Sequence, residues 1–310
     1  MYKIKEIPED FRVDEISNVE LKDSGKYLYF LMNKRDYTTQ EALGNVAMLL
    51  GVPQKFLGFA GTKDRRAVTS QMVSGRRVGK DKLEGVKIED ISVSFKGYGD
   101  DPISLGDLKG NKFEIVVREV SKKPKKVDRV VNLFGEQRFS KNNAEVGKLL
   151  VQKKFKEAAQ LIAEGEGKHE RDVRESLNFQ ENDAIGALRN VPKKIMTLYV
   201  HAYQSKLWNE MALESDDEEI PLIGFGTEVD KDVEKVLKKE GIGVRDFIFR
   251  AMPEISAEGG MRKKYVDVHD LSIGGLENND LGEGKKVTVT FWLEKGCYAT
   301  EVVKELFKGS

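Results

Sequence analysis

One acidic side chain among several cations is the feature of this sequence best suited to chemistry. Asp64 lies between Lys63 and the pair Arg65–Arg66, within the stretch 61–71 that follows a short apolar run. A short loop at the end of a strand can hold a reactive carboxylate in a fixed position. Alternatively, Asp64 caps a helix that begins at Arg65, and the basic residues form a solvated surface. The local sequence leaves both interpretations open.

The elements on either side of this loop are predicted from their apolar periodicity. Tyr27–Met32 indicates a buried strand, and a helix is predicted from Thr38 or Thr39 to Leu50, with Gly51 at its end. Lys55–Phe59 indicates a further strand that leads directly into the loop, and residues that favour a helix or a strand resume at Ala67–Val68. The acidic residue is therefore expected in a loop at the end of a strand.

The rest of the chain mixes strands and helices without a steady alternation. This pattern predicts an α+β fold rather than a doubly wound sheet. The predicted strands are Tyr2–Ile7, Phe11–Ile16, a hairpin over Ile103–Val120 that turns at Leu108–Asn111, and Val287–Leu293. The predicted helices are Asn143–Glu164, Ile195–Leu213, Asp232–Glu240 and Thr300–Phe307, and Glu164–Arg174 is predicted to be a loop.

Composition excludes several classes of protein. The 310 residues carry 52 basic and 52 acidic side chains, so nucleic-acid binding cannot be inferred from net charge and would need cations gathered on one face. A single cysteine, Cys297, fits a reducing compartment, and the sequence has neither a signal peptide nor a run of apolar residues that could span a membrane. Three dispersed histidines and the lack of glycine-rich phosphate motifs argue against zinc and against a nucleotide cofactor. We expect a cytoplasmic protein.

Five separated motifs together resemble the TruD family of pseudouridine synthases. In chain order they are IPEDFRVDE at 7–15, GTKDRRAVTSQ at 61–71, NLFGEQRF at 132–139, AYQSKLWN at 202–209 and FWLEKGCYATEVVKELF at 291–307. The motifs run from the beginning of the chain to its end, and five in matching order are far more specific than any one. The sequence departs from the family pattern at Ser140, at Cys297, and in a short segment over Glu210–Glu258.

The resemblance implies a fold, a reaction and a division into domains. It implies an α+β, pseudouridine-synthase-like core of mixed, largely antiparallel sheet flanked by helices. This core is formed by residues 1–140 and 259–310 and is interrupted by a short, mostly helical TRUD-type region over residues 141–258. It also implies isomerisation of uridine to pseudouridine in tRNA, most typically at uridine-13. This reaction exchanges a C–N for a C–C glycosidic bond without oxidation, so no cofactor is expected.

The resemblance also assigns site residues. Asp64 matches the nucleophile, and Lys5 matches a cation that should keep it ionised. Phe134 matches an aromatic ring that stacks on a flipped base, and Asn132 is expected to hold the loop or to bind the uracil edge. Further substrate-binding candidates are Lys63 as a phosphate contact, Gly135 for close backbone approach, and Arg65, Gln137 and Arg138.

Several alternatives stay open at this point. The carboxylate could attack either C1′ of the ribose or C6 of the base. The protein could be an RNA-binding protein of the same fold without catalysis, a synthase that acts on a different RNA site, or a hydrolase that uses Asp64. We expect tRNA as the partner, a monomer, and no membrane association.

Overall fold

The chain folds into two compact units, as seen in a computed structural model that describes residues 2–135 and 142–308. The first unit is discontinuous and combines Met1–Val130 with Val266–Ser310, and the second is Val131–Tyr265. The domain division at 140 and 259 that the resemblance implies stays a prediction.

The strands of the structure are mostly found in the first unit. In chain order they are β1 (Phe11–Ser17), β2 (Tyr27–Arg35), β3 (Leu57–Phe59), β4 (Val68–Arg76), β5 (Ile91–Gly99), β6 (Leu108–Val120), β7 (Arg129–Val131), β8 (Glu219–Leu222), β9 (Gly260–Lys263), β10 (Tyr265–Asp267), β11 (His269–Ile273), β12 (Glu277–Asn278) and β13 (Lys285–Glu294).

The helices are concentrated in the second unit. They are α1 (Thr39–Leu50), α2 (Lys80–Glu84), α3 (Asn143–Val151), α4 (Phe155–Ala163), α5 (Lys168–Phe179), α6 (Ala184–Leu188), α7 (Lys193–Glu214), α8 (Lys231–Glu240) and α9 (Ala299–Leu306). No helix within residues 2–135 and 142–308 is long and apolar enough to cross a membrane.

A nine-stranded sheet forms the centre of the first unit. Seven strands follow the order β11-β13-β6-β1-β4-β2-β5, β12 pairs with β13, and β3 pairs with β4. Its pairs are antiparallel apart from β1 and β4, which run parallel with Arg12 opposite Val68. This mixed, largely antiparallel sheet with flanking helices is the predicted α+β fold.

Two apolar clusters hold the helices of the first unit to the sheet. α1 buries Leu43, Val46 and Leu50 against Phe30 and Met32 of β2, as its apolar spacing predicts. The helix begins with a capping box between Thr38 and Glu41 and ends at Gly51, whose φ of 68° is the left-handed conformation typical of a helix end. α9 buries its own apolar face in a second cluster, with the aromatic rings of β1, β6 and β13.

The long helix α7 organises the second unit. It buries Tyr203 and Trp208 completely, and the indole Nε1 of Trp208 donates to the carbonyl oxygen of Ile220 at 3.1 Å. α3 packs closely on α7, because a Cβ added to Gly147 would lie 2.0 Å from the carbonyl oxygen of Tyr199. The AYQSKLWN motif is therefore largely a packing motif, held further by Gln204, whose amide donates to the carbonyl oxygens of Ile223 and Glu258.

The structure confirms most predicted elements and corrects four. The hairpin predicted over 103–120 is wrong, because β6 runs straight through the supposed turn. Gly110 lies within β6 opposite both Ile16 and Glu294, and a Cβ there would lie 2.2 Å from the carbonyl oxygen of Leu293. This glycine permits a close approach of strands rather than a turn.

The predicted strand Tyr2–Ile7 is also wrong. The segment makes a single bridge between Lys3 and Arg118 and then turns, because the Asp10 carboxylate accepts the backbone N–H groups of Glu6 and Ile7 that a strand partner would have used.

The other two corrections concern helices. The single helix predicted over 143–164 is two helices, α3 and α4, separated where Lys153 adopts a φ of 62°. The loop predicted over 164–174 contains the start of α5, whose charged residues mask its helical pattern.

Candidate active site

Asp64 lies in an extended loop between β3 and β4, and its carboxylate meets a lysine. Its Oδ2 is 2.8 Å from Nζ of Lys5, and the Lys5 and Asp64 side chains are 16% and 34% exposed. Residues 65–67 form bends, so the alternative in which Asp64 caps a helix is wrong. The loop thus presents a half-buried carboxylate in a charge-assisted hydrogen bond that solvent can still reach.

The first motif of the chain builds the position of Lys5. Asp10 is 1% exposed and accepts N–H groups from Glu6 at 3.1 Å and from Ile7 at 3.2 Å, which closes the turn after Lys5. The guanidinium of Arg118 binds both oxygens of Asp10 at 2.7 and 2.9 Å. Lys5 itself has a φ of 59°, an uncommon conformation for a residue with a side chain, so the surrounding contacts must hold it.

Phe11 supplies the last part of this arrangement. The Lys5 ammonium lies 4.0 Å from the centroid of the Phe11 ring, a cation–π contact, and Phe11 is buried in the core. The Pro-Glu-Asp-Phe sequence thus places a lysine on a rigid base beside the acidic loop.

Buried polar side chains fix the backbone of the acidic loop. The amide of Gln71 donates to the carbonyl oxygen of Gly61 at 3.0 Å, and the hydroxyl of Thr39 accepts the N–H of Lys63 at 2.9 Å. The Thr39 hydroxyl in turn donates to Gln71 at 3.0 Å. Since Thr39 and Gln71 are 1% and 0% exposed, these contacts are shielded from water.

Lys63 forms a buried ion pair, which corrects the expectation that it contacts phosphate. Its Nζ lies 2.5 Å from Oε2 of Glu15, and the two side chains are 5% and 0% exposed. Glu15 also accepts the N–H of Met72. A charge that is buried and paired is unavailable to a phosphate, so Lys63 has a structural role. Arg65 is exposed and makes no side-chain hydrogen bond within the described part of the chain, and its role in substrate binding stays a prediction.

One cation that contacts the loop, Lys34, was not predicted from the sequence. It lies in β2, is 1% exposed, and its Nζ donates to the carbonyl oxygen of Asp64 at 2.6 Å. Burial lowers its pKa to about 8, partly opposed by the nearby charge of Asp64. The alternation of β2 was the available signal, since it places Lys34 on the same face as Phe30 and Met32.

The second unit holds the other predicted residues in one loop. The backbone N–H of Asn132 donates to Lys264, and its amide donates to Lys263 at 3.3 Å. Arg262 binds the carbonyl oxygen and the Oδ1 of Asn132 at 3.0 and 2.7 Å. Asn132 is 7% exposed, so its side chain is engaged in holding the loop against β9.

Phe134 is held by Asn209 of the AYQSKLWN motif. The Asn209 amide accepts the N–H of Phe134 at 2.9 Å and donates to its carbonyl oxygen at 3.0 Å. The ring is 8% exposed, packs edge-on against Trp208, and has the Arg262 guanidinium 4.2 Å from its centroid. Gly135 is buried beside it, whereas Gln137 and Arg138 lie outside the described residues. Arg262 and Asn209 hold this loop, a role that the sequence did not indicate for either residue.

Comparison with known proteins identifies the family. A family model described as tRNA pseudouridine synthase D (TruD) matches residues 2–166, 163–224 and 218–306. The chain is 30% identical to tRNA pseudouridine synthase D of Aquifex aeolicus, over 98% of each chain. It also matches a crystal structure of a Methanosarcina mazei protein assigned as TruD, with a TM-score of 0.77 and 26% identity over 99% of this chain and 93% of that one. The chain belongs to the TruD family of tRNA pseudouridine synthases.

Proposed function

We propose that this protein converts uridine to pseudouridine in tRNA, at uridine-13, with Asp64 as the nucleophile. The observation that carries the proposal is the ion pair between Asp64 and Lys5, 2.8 Å long, in the loop that carries the family's G-x-K-D pattern. The reaction needs an ionised carboxylate on a fixed loop, and the geometry around Asp64 supports that requirement.

The chemistry balances without any added reagent. The N1–C1′ bond of uridine breaks, the base turns, and C5 bonds to C1′, while the proton on C5 is lost and N1 gains one. Asp64 adds through a carboxylate oxygen either to C1′, which holds the sugar, or to C6, which holds the base. The glycosidic bond changes from C–N to C–C while that group is held. Lys5 stabilises the carboxylate whenever it is released as an anion.

The second unit is proposed to handle the nucleotide rather than the bond exchange. Asn132 is assigned to holding the loop, because its amide is already engaged with Arg262 and Lys263. Phe134 is assigned to base stacking. Its ring is 8% exposed, so a stacked base must take the place of one of its present neighbours. Arg65, Gly135, Gln137 and Arg138 are assigned to contacts with RNA.

The proposed domain roles divide the chain at 140 and 259 rather than at the unit boundaries, so Asn132 and Phe134 belong to the isomerase core. We assign the isomerase core to residues 1–140 and 259–310, and the family's inserted region to residues 141–258.

The test uses unmodified tRNA transcripts and mapping of pseudouridine by carbodiimide treatment and primer extension. The protein is expected to modify position 13, to fail on a transcript with cytidine at that position, and to fail entirely as Asp64→Asn. Asp23→Asn is the matched control, because Asp23 is an exposed aspartate of the same unit with no hydrogen bond to its side chain among the described residues. Modification at another position would contradict the assignment of uridine-13, and activity in Asp64→Asn would contradict the nucleophile. Release of free uracil would indicate a hydrolase.

A further inference from the structure

Lys34 is a buried cation whose bonding is incomplete. Its ammonium has three N–H groups, but within the described part of the chain it has one hydrogen-bond acceptor, the carbonyl oxygen of Asp64 at 2.6 Å. No carboxylate of the described residues lies within ion-pair distance of it. Lys63, a buried lysine of the loop itself, differs because its charge is paired with the carboxylate of Glu15.

A second buried polar group lies opposite Lys34. In the register of β2 and β4, Lys34 pairs with Thr69, so both side chains are on the same face of the sheet. The Thr69 hydroxyl is buried and makes no hydrogen bond to any of the described residues. Two buried polar groups with unused bonding capacity thus occur together where Lys34 of β2 contacts the acidic loop.

Stability alone does not account for this arrangement. Burying an ammonium without a carboxylate partner is unfavourable, and apolar residues of similar volume are often as stable or more stable at such positions. Buried polar groups left without partners in a folded protein call for an explanation other than stability. The contact that Lys34 does make is with the residue we assign as the nucleophile.

We propose that Lys34 is a positioning residue for Asp64, whose ammonium fixes the Asp64 carbonyl so that the carboxylate of the same residue stays against Lys5. The inference rests on the proposed function of Asp64. The Asp64 backbone is then held from one side by Lys34 and, through the N–H of Lys63, from the other side by Thr39. The charged groups that act on the ammonium are Asp64, Asp36 and Glu41, which favour its charge, and Lys63, which opposes it.

The primary test is Lys34→Met, which removes the charge and the donor while keeping an unbranched side chain. Lys96→Met is the matched control, because Lys96 is an exposed strand lysine of the same sheet without a side-chain partner among the described residues. We expect kcat on tRNA to fall about 10- to 100-fold, as for small displacements of a reacting group. KM for tRNA and the thermal midpoint should not fall.

Hydrogen exchange reports the positioning directly. The peptide that covers residues 61–67 should exchange faster in Lys34→Met than in the wild type, and unchanged in Lys96→Met. A merely structural role would instead lower the thermal midpoint and speed exchange across the whole sheet.

The outcomes separate this inference from the proposed function. If Asp64→Asn is inactive but Lys34→Met keeps kcat within twofold of the wild type, or keeps wild-type exchange over 61–67, Lys34 is not a positioning residue and the proposed function stands. A Lys34→Met protein that loses its fold also overturns the inference, because the charge would then be needed for stability. If Asp64→Asn retains activity, the proposed function fails, and this inference with it.

Discussion

Replacing Lys34 by methionine should make the protein more stable at neutral pH. Burial lowers the pKa of Lys34 from 10.5 to about 8, so the folded protein binds this proton less tightly than the unfolded chain does. A difference of roughly 2.5 pH units corresponds to about 3 kcal/mol, which the folded state loses at pH 7 by keeping the ammonium buried. The lost hydrogen bond to Asp64 offsets about 1 kcal/mol. The expected net gain in Lys34→Met is therefore about 2 kcal/mol at pH 7.

The sign of the pH dependence follows from the lowered pKa. Between about pH 8 and 10.5 the unfolded chain holds the proton and the folded protein does not, so the wild type gains stability as the pH rises through this window. The advantage of Lys34→Met should consequently shrink to near zero by about pH 10.

Urea unfolding of the wild type, Lys34→Met and Lys96→Met at pH 7 and at pH 10 measures this difference. Other titrating groups cancel when each variant is compared with the wild type at the same pH. An equal difference at both pH values, or a Lys34→Met protein less stable than the wild type at pH 7, would refute the assignment of Lys34 as a desolvated cation.

Three further predictions concern charged residues that hold the Lys5 turn, the Asp64 loop and the loop that contains Asn132 and Phe134. Asp10→Asn removes one of the two carboxylates that bind the buried Arg118 and leaves Asp280 as the other. We expect a loss of a few kcal/mol in unfolding free energy together with a lower kcat, because the Lys5 turn loosens. An unchanged kcat in the folded variant would show that this turn does not position Lys5. Lys63→Met leaves Glu15 buried without a cation, so we expect about 3–5 kcal/mol of destabilisation, with the affinity for tRNA and its salt dependence unchanged. A weaker dependence of tRNA affinity on salt concentration would show that Lys63 contacts phosphate after all. Arg262→Gln should lower kcat, because the substitution releases the loop that contains Asn132 from β9, while the unfolding free energy changes by no more than about 1–2 kcal/mol. Wild-type kinetics in this variant would show that the loop keeps its position without Arg262.

Much of the fold follows from local sequence. The helix α1 was predictable from apolar spacing, a capping threonine and a terminal glycine. The strand β2 was predictable from a continuous apolar run rich in aromatic residues, and β13 from alternation. The wrong predictions share a cause, because contacts between residues far apart in the sequence decide the structure at these places. Gly110 resembles a turn residue until two neighbouring strands close around it, and the segment before Pro8 resembles a strand until the Asp10 side chain takes its hydrogen bonds.

The candidate site likewise contains residues that the sequence indicates and residues whose partners only the folded chain brings near. The motifs nominate Asp64 and Lys5, and the structure brings these two side chains to 2.8 Å. No local signal distinguishes Lys63 from a surface cation, because its partner Glu15 lies 48 residues away in the sequence. Lys34 was partly visible, since the alternation of β2 turns it inward, but the carbonyl oxygen it binds belongs to a loop that only the folded sheet brings near.

The most direct test of the account is the formation of pseudouridine in a single turnover, with enzyme in excess over an unmodified tRNA transcript. Wild-type protein and Asp23→Asn should both convert uridine-13 completely, and Asp64→Asn should still bind the transcript but form no pseudouridine above background. Conversion by Asp64→Asn at a rate comparable to that of the wild type would contradict the central claim that this carboxylate performs the reaction.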